Sequence, residues 1–307
     1  MKRVIIFGGK GLIGLHTAGS LQRKGYDTVI VSRGTKDITG LQEEYPGIDF
    51  ANWNYTDTNA GIKLMNGAFA VINFTGASIA GKRLTEQYKK EVYDSRIETT
   101  RIITQALISC DERPGILINA SATGYYGDRG EEILTENASA GNDFLADLCK
   151  NWEKETSRAE KAGIRTVLLR LGIVLSRKGG ALETMSKPFK MFLGGKLGSG
   201  KQWFPWIHID DVAGIIIFAL ENKNVSGAVN AAAPNPVTNG NFSKELARTL
   251  GRPCLFTVPR FALKIAAGEL ADFLLASQRA VPEKMLKLEY KFRFESAREA
   301  LNDLIKL

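Results

Sequence analysis

The chain has 307 residues, 44% hydrophobic and 24% charged, a balance that excludes a disordered protein and allows a sizeable core. Forty-one Lys and Arg against 33 Asp and Glu leave +8, a bias toward anionic partners such as phosphorylated cofactors, nucleic acid or acidic membranes. Cys110, Cys149 and Cys254 are odd in number and far apart, so neither a disulfide framework nor a zinc cluster can be read from them, and reduced thiols are expected.

The first apolar run, residues 3–7, reads as a strand that breaks at glycine, too short for a signal peptide. Gly8, Gly9, Lys10, Gly11, Leu12, Ile13 and Gly14 then open a helix and satisfy both GxGxxG and GxxGxxG. Missing side chains there allow a tight turn and close approach of a dinucleotide pyrophosphate, whose charge suits a helix N-terminus. The second strand, residues 28–32, ends in Ser32 and Arg33 where an acid would bind the ribose 2′-hydroxyl of NAD. A hydroxyl and a guanidinium suit a 2′-phosphate instead, so NADP is the expected cofactor.

Further strands are expected at 48–53, 70–74, 116–120 and 166–171, with helices at 85–109 and 143–162 among them. Nearly uniform apolar runs alternating with helices predict an α/β protein with a Rossmann-type, doubly wound parallel sheet. After Leu171 the texture changes: Gly179, Gly180, Gly194, Gly195, Gly198 and Gly200 punctuate shorter elements. This marks a boundary between a dinucleotide-binding domain, 1–171, and a smaller, mainly helical substrate-side lobe, 172–307. Residues 228–231 are expected to return one strand to the sheet.

Competing chemistries are poorly supported. Residues 76–83 and 195–202 approach the GxxxxGK[ST] phosphate loop but lack its magnesium-binding hydroxyl, which argues against a nucleoside triphosphatase. Two distant histidines, His16 and His208, and no GxSxG argue against a histidine metal site or a serine hydrolase. His208 sits among Trp203, Phe204, Trp206 and Asp211, a cluster that suits either a substrate-side wall or packing between lobes. No nucleic-acid motif is present, and no run of about 18 apolar residues suggests a membrane span. A cytoplasmic protein without nucleic-acid or membrane partners is expected.

The glycine turn, the strand end Val71–Gly76 and the segment 121–127 resemble an extended short-chain dehydrogenase/reductase. Residues 198–212, GSGKQWFPWIHIDDV, with 121–128 and the run from Val281, more narrowly resemble the YfcH-like epimerase-family proteins of the NAD-dependent epimerase/dehydratase superfamily. The resemblance implies an NADP-type cofactor lined by Phe74, Thr75, Gly76, Ser121 and Val174, with Glu91 and Arg96 facing it from the helix after the fourth strand. It also implies a catalytic tyrosine, a lysine four residues later and a serine. Here Leu145, Cys149 and Ala122 occupy those positions, counted from Glu153 and Tyr126. A leucine transfers no proton, and a neutral thiol does not replace a lysine. Thr123, Tyr125 and Tyr126 are the substitute catalytic candidates, and Trp203, Trp206 and His208 the substrate-side ones. Two readings stay open: an NADP-dependent oxidoreductase or epimerase-like enzyme acting on a small or nucleotide-linked substrate, and a cofactor-binding sensor that has lost the chemistry.

Overall fold

The computed structural model describes residues 1–34 and 38–306. Its centre is a seven-stranded, wholly parallel sheet of β1 (Arg3–Phe7), β2 (Asp27–Ser32), β3 (Asp49–Asn52), β4 (Ala70–Asn73), β5 (Ile116–Ala122), β6 (Arg165–Leu171) and β7 (Gly227–Ala231). In space the order is β7-β6-β5-β4-β1-β2-β3. The chain runs outward from β1 to β3, then crosses back to β4 on the other side of β1. That reversal parts the connecting segments above the carboxyl ends of β1 and β4, where doubly wound folds open their ligand crevice.

The period-two pattern of the strands feeds two cores. Val4, Ile6, Ile30, Ile72, Ile118 and Leu169 bury one face under α1 (Leu12–Arg23) and α7 (Ile209–Glu221). Ile5, Phe7, Val29, Val31, Val71 and Leu117 face the opposite side. There they meet α3 (Thr58–Met65), α4 (Glu86–Ile108) and α5 (Phe144–Lys161), while the short α2 (Ile38–Glu44) precedes β3. Burial on both faces is why these strands read as apolar runs. The expected strands match to within two residues at each end, and β7 rejoins the sheet beside β6.

Beyond β6 the chain forms α6 (Ala181–Lys190), α8 (Asn239–Leu250), α9 (Arg260–Ala267), α10 (Leu270–Leu275), α11 (Glu283–Lys287) and α12 (Ala297–Lys306), joined by short strands. Leu182, Phe189, Trp206, Phe242, Leu246, Leu301 and Leu304 make a separate apolar cluster there. Among the described residues no helix is long and apolar enough to cross a membrane.

The C-terminal run is tied to the sheet layer by a buried carboxylate. Asp211, in the first turn of α7, accepts the backbone N–H groups of Arg293 at 2.7 Å and Phe294 at 3.1 Å. Asp210 beside it lies 2.7 Å from His16 Nε2 on α1 and 2.6 Å from the Arg293 guanidinium. Both histidines of the chain flank this point, since His208 Nδ1 accepts the Asp210 N–H.

Burial pushes the Asp211 carboxyl up to about 6, above its ordinary 3.8. The folded protein therefore binds this proton more tightly than the unfolded chain, and the group's contribution to stability falls as pH rises from about 4 to about 6. Asp211→Asn removes that titration. Urea unfolding of both proteins at each end of the window should show wild type losing stability relative to the variant as pH rises. A difference that stays flat would refute the assignment.

Candidate functional site

The glycine turn is built by contacts that leave no room for side chains. Gly8 has φ +70°, and a Cβ there would sit 2.7 Å from the backbone carbon of Phe74. A Cβ on Gly14 would sit 2.5 Å from Gly9 Cα, so the first turn of α1 lies directly against the loop leaving β1. Gly11 caps α1 without a side-chain hydrogen bond, so the cap residue itself offers no oxygen to the amides of the helix start. Such amides form an anion cradle.

This cradle is one end of a cavity of about 640 Å³. Gly8, Gly11, Leu12, Ile13 and Gly14 line that end, followed by Phe74, Thr75 and Gly76 after β4. Ser121 and Ala122 at the end of β5, Leu145 and Cys149 on α5, and Leu171 to Val174 after β6 close the other. The cavity thus follows the carboxyl ends of four adjacent strands, as expected for the crevice of this topology.

Its polar side chains are held from behind. Asn73, wholly buried, donates to Asn119 Oδ1 at 2.7 Å and Thr100 Oγ1 at 3.0 Å, while its own oxygen accepts the Thr75 hydroxyl at 2.6 Å. Arg96, 9% exposed, donates through Nη1 to the carbonyls of Ala77 and Val92 and stacks on Trp152, with its Cζ 5.1 Å from the ring centroid. A Cβ on Gly76 would meet Arg96 Cζ at 2.9 Å, so glycine is what lets the guanidinium lie there. Among the described residues Arg96 makes no ion pair with a carboxylate, and burial pushes its pKa down. A buried cation in a cavity wall without a counter-charge is suited to receiving an anion.

Ser121 donates its hydroxyl to Glu153 Oε1 at 2.7 Å, and Glu153 is clamped by both Nε and Nη2 of Arg170 at 2.9 Å. Because its proton points at Glu153, Ser121 turns lone pairs toward the cavity and acts there as an acceptor. Arg170 also donates to Tyr126 Oη at 3.0 Å and stacks on Tyr125, 3.5 Å from its ring centroid. Tyr126 Oη in turn reaches Asn230 Oδ1 at 2.6 Å. Cys149 is 3% exposed; burial, then the nearby Glu153 charge, pushes its thiol up to about 12.

The cavity gathers most of the residues expected on the cofactor side: Gly8, Gly11, Leu12, Ile13, Gly14, Phe74, Thr75, Gly76, Arg96, Ser121 and Val174. Others lie elsewhere. Gly9 packs against Ile30, and Glu91 is exposed on α4, 3.3 Å from Lys82. Ser32 donates to the Gly34 carbonyl, with Arg33 exposed beside it at the end of β2. Thr123 and Tyr126 are buried off the cavity, in a 3-10 turn that also carries Tyr125; Tyr126 is held there by Arg170 and Asn230. Trp206 is 1% exposed within the lobe's apolar cluster, and Trp203 donates to Glu131 beneath the Arg279 guanidinium. His208 caps α7, its ring centroid 3.9 Å from that of Phe294, and burial pushes its pKa down. None of these last three lines the cavity, because Trp206 is taken up by the lobe's apolar cluster, Trp203 by Glu131 and Arg279, and His208 by the cap of α7 and Phe294. Sequence reasoning missed Asn73 and Arg170; the signal for each was a polar residue inside an otherwise apolar strand.

Residues 4–232 match the model of the NAD dependent epimerase/dehydratase family, and residues 258–304 match a domain of unknown function, DUF1731. The chain belongs to the NAD-dependent epimerase/dehydratase family. Within this family it is 37% identical over 303 residues to the epimerase family protein YfhF of Bacillus subtilis, covering 98% of this chain and 97% of that protein. The crystal structure of human epimerase family protein SDR39U1 with NADPH superposes with a TM-score of 0.86 at 30% identity, over 99% of both chains. The UDP-N-acetylglucosamine 4-epimerase of Bacillus cereus shares the fold, with a TM-score of 0.78 at 16% identity.

Removing one partner of the Glu153–Arg170 pair leaves the other charge buried and unpaired, at a cost of about 3–5 kcal/mol. Arg170→Met should lower the denaturation midpoint accordingly, whereas cutting an exposed pair such as Lys90–Asp94 should leave the midpoint nearly unchanged. Equal, small losses at both sites would contradict the structural role assigned to Arg170.

Proposed function

We propose that the cavity binds NADP(H) and that the protein is an oxidoreductase or epimerase-like enzyme. It exchanges hydride with a small or nucleotide-linked carbonyl or hydroxyl compound, in the cytoplasm. The observation that carries this reading is the single cavity running from the α1 cradle past Thr75 and Arg96 to Ser121 and Cys149. The NADPH in the human relative supports the choice of cofactor.

The residues fit that group. The uncapped start of α1, with Gly8 and Gly11 bare beneath it, suits a pyrophosphate. Arg33 and Ser32, at the end of β2, suit the 2′-phosphate, and no acid replaces them there. Thr75, fixed by Asn73, and Arg96 supply a hydroxyl and a cation along the wall. Ser121 presents an acceptor at the far end, suited to an amide N–H or a substrate hydroxyl. When bound, the cofactor supplies a hydride donor or acceptor at its nicotinamide ring.

The proton is handled differently from the wider superfamily. Leu145 stands at the position the resemblance assigns to the tyrosine, and Cys149, its thiol at about 12, at that of the lysine. Tyr126 is committed to Asn230 and Arg170, and burial pushes its pKa up, so it is a poor acid for a cavity it does not line. Turnover therefore draws on water entering the cavity or on the substrate's own acidic group. The same shortage of proton donors favours the second reading, a cofactor-binding sensor, should no substrate be turned over.

NADPH should bind more tightly than NADH in a fluorescence titration, and Arg33→Asp should erase about tenfold or more of that preference, as expected for losing a charge-assisted contact. A preference that survives the substitution would sink the assignment of Arg33. Cys149→Ala should retain any turnover found, since burial pushes the thiol up to about 12 and makes it a poor acid. Loss of turnover in a folded Cys149→Ala protein would instead place the thiol in the chemistry.

A further inference from the structure

The net charge of +8 has an address. Residues 184–209 carry Lys187, Lys190, Lys196 and Lys201, and residues 246–268 carry Arg248, Arg252, Arg260 and Lys264, with no Asp or Glu in either segment. The rest of the chain is charge-balanced. The two segments meet in space, because strand Gly195–Leu197 pairs in parallel with strand Phe256–Val258, and Arg252 Cζ lies 4.6 Å from the Phe192 ring centroid.

The same two segments also expose an unusual number of bulky apolar side chains. Phe192 is 57% exposed, Leu193 57%, Leu255 79%, Phe256 49%, Phe261 69% and Ile265 73%. Phe192 is held out at φ +61°, a backbone conformation that side chains other than glycine rarely adopt. Phe261 and Ile265 stand one turn apart on α9, so they project together from one helical face. Some of the charge is neutralised at the margins: Asp272 faces Arg260 and Lys264, and Glu183 faces Lys187. The cations still exceed the acids around an exposed cluster of bulky apolar groups.

We infer that this face docks on an anionic phospholipid surface, the apolar side chains entering the interfacial layer and the cations meeting the headgroups. Phe, Leu and Ile ringed by Lys and Arg match both halves of that environment, whereas the aliphatic members offer a nucleic acid nothing to stack on or hydrogen-bond. Peripheral docking needs no spanning helix; the expectation of no membrane partner rested on the lack of a span alone. The face also adjoins the cavity wall. α10, which follows α9, packs Leu270 and Phe273 onto the cluster that includes Ile79, Leu145 and Leu148, all three lining the cavity.

Flotation of the full-length protein with lipid vesicles tests this. Vesicles of phosphatidylcholine with about a third phosphatidylglycerol should carry the protein upward and phosphatidylcholine alone should not, with binding lost at about 0.5 M salt as headgroup attraction is screened. A Phe192→Ser, Phe261→Ser variant and a Lys190→Glu, Arg252→Glu variant should each bind at least about tenfold more weakly. Unchanged thermal unfolding would show that both variants are folded. Several results would overturn the proposal: no flotation with anionic vesicles, equal flotation with neutral ones, or undiminished binding by both folded variants. So would a concentration-dependent dimer abolished by the same substitutions without any vesicle binding, which would make the face a contact between copies of the chain.

Discussion

The architecture depends on how closely α1 can approach the end of β1. With any side chain at Gly14 the helix would be pushed off Gly8 and Gly9, and with one at Gly8 the turn would collide with Phe74. These two missing side chains therefore do two things at once. They let the first crossover pack tightly on the sheet, and they leave bare backbone facing a crevice. The crevice lies at the reversal of strand order between β1 and β4, so fold and candidate site share one cause.

Behind that crevice runs a buried polar framework: Ser121, Glu153, Arg170, Tyr126 and Asn230 in sequence, and separately Thr75, Asn73, Thr100 and Trp152. Apart from Thr75 on Asn73, two residues away, every link joins different elements, so these side chains are held by partners distant in the chain. Preorganisation of this kind suits a site that must present a few polar atoms at defined places within apolar walls. The framework also helps keep the pocket open where its far end is lined by side chains without a ready proton donor. Leu145 and Cys149 fill the space as apolar groups, while the Glu153–Arg170 pair keeps Ser121 oriented.

Much of this was legible in the sequence, and for a physical reason. Strands buried on both faces are apolar throughout, and the glycine turn must sit between a strand and a helix, so residues 3–14 announce both fold and crevice. What stayed hidden depends on partners far away in the chain. His16 and His208 look unrelated until α1 and α7 bring both to Asp210. Tyr126 follows a strand end as a catalytic residue should, yet Asn230, 104 positions later, claims its hydroxyl. Trp203 and Trp206 resemble a ligand-stacking pair, but Glu131 with Arg279 and the lobe's apolar cluster absorb them. The even charge of the chain outside two segments was likewise present in the sequence. Only the pairing of Gly195–Leu197 with Phe256–Val258 turns those segments into one surface.

The reading turns on the cavity holding the pyrophosphate on α1 and the reactive ring among Ser121, Leu145 and Cys149, while the 2′-phosphate reaches Arg33 at the end of β2, outside that cavity. A crystal structure of the protein grown with NADPH tests this most directly. The pyrophosphate should lie against Gly11 to Ile13, the 2′-phosphate within reach of Arg33, and the nicotinamide beside Ser121 and Val174. No tyrosine hydroxyl should lie within hydrogen-bonding distance of the ring. A pyrophosphate away from the start of α1, a nicotinamide outside the cavity, or Tyr125 or Tyr126 swung onto the nicotinamide would contradict this placement.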